Sequence, residues 1–365
     1  MDELAVGTLD CGGIQTHGMS VAWFSADTDA GQVPGGPGYR HSSCLHLWFV
    51  TLARAVARPA RCPAGFGRCR NGFVVSLRVS IPVIFVRVGF MDFSGKKGLI
   101  LGVANDHSIA WAIAQQIMDA GGSCGFTHLP DRPDDERQRN RRRVSQLTDK
   151  YERASFLVPM DAQSDDDIKA VMKTTADEFG KIDFLLHSIA FADRDDLSRD
   201  TVFTSRDGFK LAMDVSVYTL LAVTAAARDL FNPGAAVATM TYFGGEKCVP
   251  GYNVMGICKA ALEASVRYLA YDMGPLDVRV NALSAGPVRT LAGRAAGVEE
   301  MLTMYEHIAP LGRNVKHEEV GRTGAFLLSS ASNGITGEVL HVDCGYNIMG
   351  SPGRLLDKMR DSMSS

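Results

Sequence analysis

From residue 97 to residue 342 the chain alternates short apolar runs with longer helical stretches, and this alternation limits the fold more than any other feature. Apolar runs at 98–102, 123–127, 156–160, 182–187, 235–240, 278–282 and 339–342 have strand length. The first, Gly98-Leu-Ile-Leu-Gly102, is apolar throughout, as a strand buried on both faces requires. Between the runs lie helical patterns. Ile109, Ile113 and Ile117 recur at a spacing of four along one face, and Gly121-Gly122 predicts the stop. Residues 131–153 are highly charged and read as a solvated helix, and further helices are expected at 168–179, 208–230 and 260–273. Strands separated by helices indicate βαβ units with right-handed crossovers. The predicted fold is α/β, a single doubly wound Rossmann-type parallel sheet with helices on both faces. Ligands of such sheets bind beyond the carboxyl ends of the strands. Gly102, Asp161, His187 and Tyr242 all fall there.

The total of 365 residues suggests two domains at about 150 residues each, yet no internal repeat or second core pattern is visible. Residues 1–90 read differently from the rest. They hold 8 Arg and no Lys, against 19 Arg and 11 Lys in the remaining 275, and no Asp or Glu occurs from 31 to 90. No periodicity persists in them. The favoured reading is a start codon placed too far upstream, with Met91 as the natural first residue. A targeting peptide is the second reading, because such peptides are Arg-rich and acid-poor. Asp2, Glu3, Asp10, Asp27 and Asp29 speak against it. An additional domain is the third. The expected organisation is therefore an extension at 1–90, a Rossmann-type domain at 91–352 and a flexible tail at 353–365. A net charge of −3 argues against nucleic acid as a partner. The 8 Cys show no zinc spacing, and no metal site is expected. No run of about 20 uncharged apolar residues occurs, which argues against a spanning helix.

Two features carry chemistry. The turn after the first strand leads into a helix whose first amides are unsatisfied, an arrangement that can cradle a phosphate. Gly102 is present but the remaining glycines of G-x-G-x-x-G are not. Taken alone, the turn is equally a plain strand-to-helix connection with Ser108 as cap. Tyr252 and Lys259, seven residues apart, stand close to two helical turns and can share one face. Many helices carry such a pair, so the spacing alone decides nothing.

The full ordered set is more specific. Gly102-Val-Ala, Ile109-Ala, Asp161, His187-Ser-Ile-Ala-Phe-Ala192, Tyr252-x6-Lys259-Ala, Arg279-Val-Asn-Ala-Leu-Ser-Ala-Gly-Pro287-x-Arg-Thr290 and Gly337-Glu-Val-x-His-Val-Asp343 follow one another. From about Met91 to about Gly350 the chain resembles the NADH-dependent enoyl-acyl-carrier-protein reductases, divergent short-chain dehydrogenase/reductases of type II fatty acid synthesis. The wider superfamily mostly has Tyr-x3-Lys, whereas position 256 here is Gly. The resemblance implies hydride transfer from NADH to the β-carbon of a trans-2-enoyl thioester. It implies Tyr252 as the donor to the thioester oxygen, Lys259 on the nicotinamide ribose and Tyr242 near the reacting carbon. It also implies a cofactor track along Gly102, Ser108, Ile109, Asp161, Ala162, Ser188, Ile189, Ala190, Val288 and Thr290. Phe191, Ala192, Tyr242, Met255 and Ala292, with the helix around Met301 to Tyr305, would line the acyl pocket. For the apolar members, core packing explains the residue equally well.

The expected partners are acyl carrier protein bearing the substrate and three further copies of the chain in a homotetramer, with no nucleic acid and no membrane. The expected location is cytoplasmic, or plastid if residues 1–90 are a transit peptide. Two departures from the family pattern stand out. Leu129 occupies a position where the family often has Gln, and Arg132 nearby could meet a 2′-phosphate, so NADPH stays open beside NADH. Cys344 replaces a frequent Gly. The alternatives are an NADPH-dependent short-chain reductase acting on another enone or carbonyl, and a nucleotide-binding regulator without turnover.

Overall fold

The computed structural model of the protein describes residues 91–290 and 298–364. The expected extension at 1–90 and Ala292 lie outside the described residues. The seven expected strands are all present: β1 (Lys97–Leu101), β2 (Ser123–His128), β3 (Ala154–Pro159), β4 (Ile182–His187), β5 (Phe231–Thr241), β6 (Arg279–Ala285) and β7 (Val339–Val342). They form one sheet in the order β3-β2-β1-β4-β5-β6-β7, and every neighbouring pair is parallel. The helices are α1 (Ile109–Asp119), α2 (Arg139–Thr148), α3 (Asp165–Phe179), α4 (Arg194–Ser198), α5 (Arg206–Met213), α6 (Thr219–Ala227), α7 (Asn253–Met273), α8 (Val298–Ile308), α9 (His317–Leu328) and α10 (Leu355–Ser364).

Parallel strands need a crossover that covers the sheet, so both faces carry a core. On one face α3, the α5–α6 segment and α7 bury Ile168, Leu220, Val254, Leu262 and Val266 against β1, β4 and β5. On the other, α1 and α9 bury Trp111, Ile113, Ile117, Val320 and Leu327 against Ile100, Phe184 and Leu283. Each such side chain contributes about 1.5–3 kcal/mol on burial. Local signals set the helix ends. The Ser164 hydroxyl accepts from the Asp167 amide at 3.2 Å, Asp165, Asp166 and Asp167 fill the first turn of α3, and Gly180 ends it at φ +73°.

Four expectations are adjusted. The charged stretch 131–153 is helical only over Arg139–Thr148. Its beginning is drawn off the helix because the Asp131 carboxylate accepts from the Asn140 and Arg141 amides, at 2.6 and 3.2 Å, and so caps α2 from nine residues upstream. The stretch 208–230 is interrupted by a π-helical turn at Asp214–Tyr218. The helix expected at 260–273 begins seven residues earlier, at Asn253. Beyond 352, where a flexible tail is expected, the chain forms α10, and the Arg354 guanidinium donates to the carbonyls of Ala309 and Pro310. Among the described residues one helical stretch, Arg206–Leu230, is long and apolar enough by length and composition to cross a membrane. Its Ala212, Val217, Leu220, Val223 and Ala227 are buried in the core.

Two buried polar groups tie the sheet to its cover. His187, at the end of β4, lies between the hydroxyls of Thr239 and Thr219, each 2.9 Å from a ring nitrogen. Burial, with the charge of Lys259 adding to it, brings its pKa down to about 3, so the ring is neutral and serves as a clamp. Arg279, at the start of β6, donates to the carbonyls of Leu327 and Ser329 and to the Ser332 hydroxyl at 2.8–3.0 Å. Arg279 therefore ties the start of β6 to the end of α9 and the turn that follows it.

Candidate active site

The order of the strands places a crevice beyond the carboxyl ends of β1 and β4, where the crossovers change direction. Gly102 ends β1 there with φ +94°, and a Cβ at this position would overlap the Ser188 carbonyl at the end of β4. Only glycine satisfies both conditions. The turn that follows is pinned by the Ser108 hydroxyl, which accepts from the amides of Ala104 and Asn105 at 3.0 and 3.1 Å. That hydroxyl is used within the turn and makes no cap bond to α1. The first amides of α1 therefore have no side-chain acceptor, which leaves them able to meet an anion. Ile109 is half-buried behind it.

Asp161 and Ala162 stand just past β3, and the Asp161 carboxylate accepts from the Gln163 amide at 3.0 Å. Ser188, Ile189 and Ala190 run out of β4, with the Ser188 amide donating to the Leu101 carbonyl at 3.2 Å. Val288 is buried beyond β6 and accepts from the Thr290 amide at 2.8 Å. These residues line one continuous edge of the sheet. Of the expected pocket residues, Phe191 is exposed, with its backbone held on both sides by the Ser216 hydroxyl at 3.0 Å. Ala192 and, in the first turn of α7, Met255 are buried in the core.

β5 and α7 bring a second group of candidate residues together. Tyr252 sits at the N-cap of α7, and Lys259 lies two turns along the same helix. Asn253, at φ +39°, donates through its amide to the carbonyls of Leu197 and Arg199 at 2.8 and 2.6 Å, fixing where α7 starts. Tyr242, just past β5, meets the Tyr252 ring edge-to-face at 4.8 Å between centroids. A Cβ on Gly244 would overlap the Tyr252 ring, so this glycine keeps the space in which the phenol stands. Burial lifts the Tyr252 phenol above the usual range, with Tyr242, Cys258 and Glu263 adding to it. Burial likewise pushes Tyr242 up to about 12. Both are therefore protonated donors.

The Lys259 ammonium donates to the Met240 carbonyl at 2.8 Å and is almost fully buried. Desolvation brings its pKa down to about 8, opposed by Cys258 and Glu263. Glu263 is itself held by the Thr241 hydroxyl at 2.6 Å.

Three neighbours were not legible as site members. Tyr305 of α8, read only as an apolar wall, places its hydroxyl 2.8 Å from that of Tyr242. Tyr346 stacks on Tyr305 at 3.7 Å. Glu263 follows Lys259 by one turn. The Gly244-Gly245 pair two residues after Tyr242 was the available signal that another chain segment approaches there. Among the described residues no group of three or more His, Cys, Asp or Glu could hold a metal ion.

This geometry has close counterparts. The profile of the family described as enoyl-(acyl carrier protein) reductase matches residues 102–347. Enoyl-(acyl-carrier-protein) reductase (NADH) FabI of Nostoc sp. is 48% identical over 261 residues, covering 71% of this chain and 99% of the relative. The enzyme of the same name from Bacillus cereus is 45% identical over 258 residues, covering 70% and 98%. The crystal structure of the B. cereus reductase with NADP+ and indole naphthyridinone superposes with TM-score 0.68 at 44% identity, over 72% of this chain and all of that one. The Anaplasma phagocytophilum reductase in complex with NAD gives TM-score 0.66 at 40% identity, over 72% and 96%. The chain belongs to the enoyl-(acyl carrier protein) reductase family of short-chain dehydrogenase/reductases.

Proposed function

We propose that the protein is an NADH-dependent enoyl-acyl-carrier-protein reductase, reducing the 2,3-double bond of an enoyl thioester in fatty acid synthesis. The observation that carries this reading is the placement of Tyr252 and Lys259 two turns apart along α7, with Tyr242 against the Tyr252 ring. The residues present fit a dinucleotide. Gly102 brings β1 against β4, α1 has no side-chain cap at its N-terminus, and Lys259 supplies a buried ammonium beside the end of β5. NADH, when bound, supplies the hydride.

The chain's own residues manage the charge. As the β-carbon gains hydride, negative charge develops on the thioester oxygen. A phenol whose hydrogen bond to that oxygen strengthens as the charge grows stabilises the transition state more than the ground state. Tyr252 is that donor. Lys259 holds the ribose hydroxyls and adds positive potential beside them. The wall around Tyr242, Phe243 and Tyr305 keeps water from the reacting atoms. Mixing the purified protein with NADH and crotonyl thioester tests the reading. Consumption of NADH matched by saturated thioester is expected, and NADPH in a parallel arm reports the alternative cofactor. No oxidation of either would overturn it.

Lys259 also sets a pH dependence. Its folded-state pKa lies near 8, below the ordinary lysine value, so the cation is lost as pH rises through about 8. In the free enzyme, kcat/KM for NADH is expected to fall above that pH, with one ionisation. A flat profile through pH 10, about the ordinary lysine pKa, would contradict this.

Assembly follows from the exposed apolar surface. Tyr218 and Leu221, with Ile257, Tyr268 and Tyr271 on α7, leave large side chains uncovered on the same flank of the sheet. We place them between subunits of a homotetramer, in the cytoplasm or, if residues 1–90 direct import, in a plastid. Light scattering should give the mass of four chains; the mass of one chain would rule the interface out.

A further inference from the structure

The Tyr242 hydroxyl is engaged by a residue that nothing in the reductase chemistry itself calls for. Tyr305 projects from α8 into the same aromatic cluster, 2% exposed, and its hydroxyl lies 2.8 Å from that of Tyr242. Among the described residues Tyr242 is the only hydrogen-bond partner of the Tyr305 hydroxyl. Tyr305 is the more deeply buried of the two, 2% exposed against 9% for Tyr242, so an unpaired proton costs more there, and Tyr305 is assigned as donor and Tyr242 as acceptor. The Tyr242 hydroxyl keeps its own proton free. Its ring stands edge-to-face on that of Tyr252, so the two tyrosines belong to one cluster.

Tyr305 is itself rigidly backed. Its ring stacks on Tyr346 with centroids 3.7 Å apart and planes 9° from parallel. Tyr346 in turn meets the Phe243 ring edge-on at 5.8 Å. The turn that carries Tyr346 is closed by the Asp343 carboxylate, which accepts from the amides of Gly345 and Asn347 at 2.9 and 2.8 Å. A path of packed and hydrogen-bonded groups thus runs from the end of β7, through α8, to the second tyrosine of the site.

We propose that Tyr305 is a positioning residue for the reduction: by donating to the Tyr242 hydroxyl it turns the Tyr242 proton toward the bound enoyl thioester, so that two phenols rather than one face the substrate. Each hydrogen bond in such a chain strengthens the next, because donating polarises the hydroxyl that has accepted. The proposal rests on the enoyl-reductase reading.

A double-mutant cycle separates this from a packing role. Tyr305→Phe removes one oxygen and leaves the ring and its stacking in place. In the otherwise unchanged enzyme, with crotonyl thioester and saturating NADH, it should lower kcat about ten-fold. The NADH dissociation constant should stay the same, and the thermal midpoint should move by no more than about 5 °C. In a Tyr242→Phe background the same substitution should change kcat by less than about two-fold, because the hydroxyl it orients is already gone. An equal factor in both backgrounds, or no effect in the unchanged enzyme, overturns the positioning role while leaving the reductase reading intact. Absence of turnover in the unsubstituted protein overturns both.

Discussion

Lys259→Ala should lower kcat/KM by about 1000-fold and raise the NADH dissociation constant at least about ten-fold. The size follows from where the ammonium sits. It is nearly buried, donates to the Met240 carbonyl, and is flanked one turn later by the buried Glu263. Alanine removes a buried positive charge, leaves a void the length of the lysine stem, and takes away one of the charges that favour the ionised Glu263 carboxyl. Arginine should not rescue it, because a planar fork cannot take the place of a compact ammonium in a fitted cavity. Calorimetric titration with NADH, beside steady-state rates, measures both effects. Binding and turnover within about three-fold of the unsubstituted protein would remove Lys259 from the site.

Tyr252→Phe has a different signature. Among the described residues the Tyr252 hydroxyl makes no internal hydrogen bond, although burial keeps the phenol protonated. Removing it therefore takes nothing from the fold, and the thermal midpoint should stay level or rise slightly. NADH affinity should be unchanged. The loss should appear in kcat, by about 100-fold, the cost of withdrawing one donor from a developing oxyanion. A loss carried by KM alone would mean that Tyr252 binds substrate and transition state equally well. The two substitutions together distinguish the residue that holds the cofactor from the residue that meets the substrate.

Much of this architecture was legible because parallel strands announce themselves. A strand buried on both faces must be apolar along its length, and all seven runs were found, β4 and β7 to the residue. Helix starts were harder. The start of α2 is fixed by Asp131 from a distance along the chain, and that of α7 by Asn253 bonding to α4. Neither leaves a periodic signature. The π-turn at Asp214–Tyr218 is hidden for the same reason, since the apolar pattern runs on through it.

In the site, Tyr252 and Lys259 were visible as a spaced pair only because one helix carries both. Their meaning came from the ordered motifs around them. Tyr305 was not readable as a polar participant. It lies 63 residues from Tyr242, on a helix face whose apolar neighbours make a tyrosine look like one more piece of wall. Only the fold brings the two hydroxyls together. Ala192 and Met255 illustrate the converse: the resemblance made them pocket candidates, core packing explained them equally well, and both are buried in the core cluster that α7 helps to build.

The central claim is that this crevice directs hydride to the β-carbon of an enoyl thioester while Tyr252 steadies the oxygen. NADH carrying deuterium at its transferred position, incubated with the purified protein and crotonyl thioester, tests it most directly by mass spectrometry of the product. The account predicts a saturated thioester with one deuterium at the β-carbon. Deuterium at the carbonyl carbon, or unchanged crotonyl thioester with NADH intact, would contradict it.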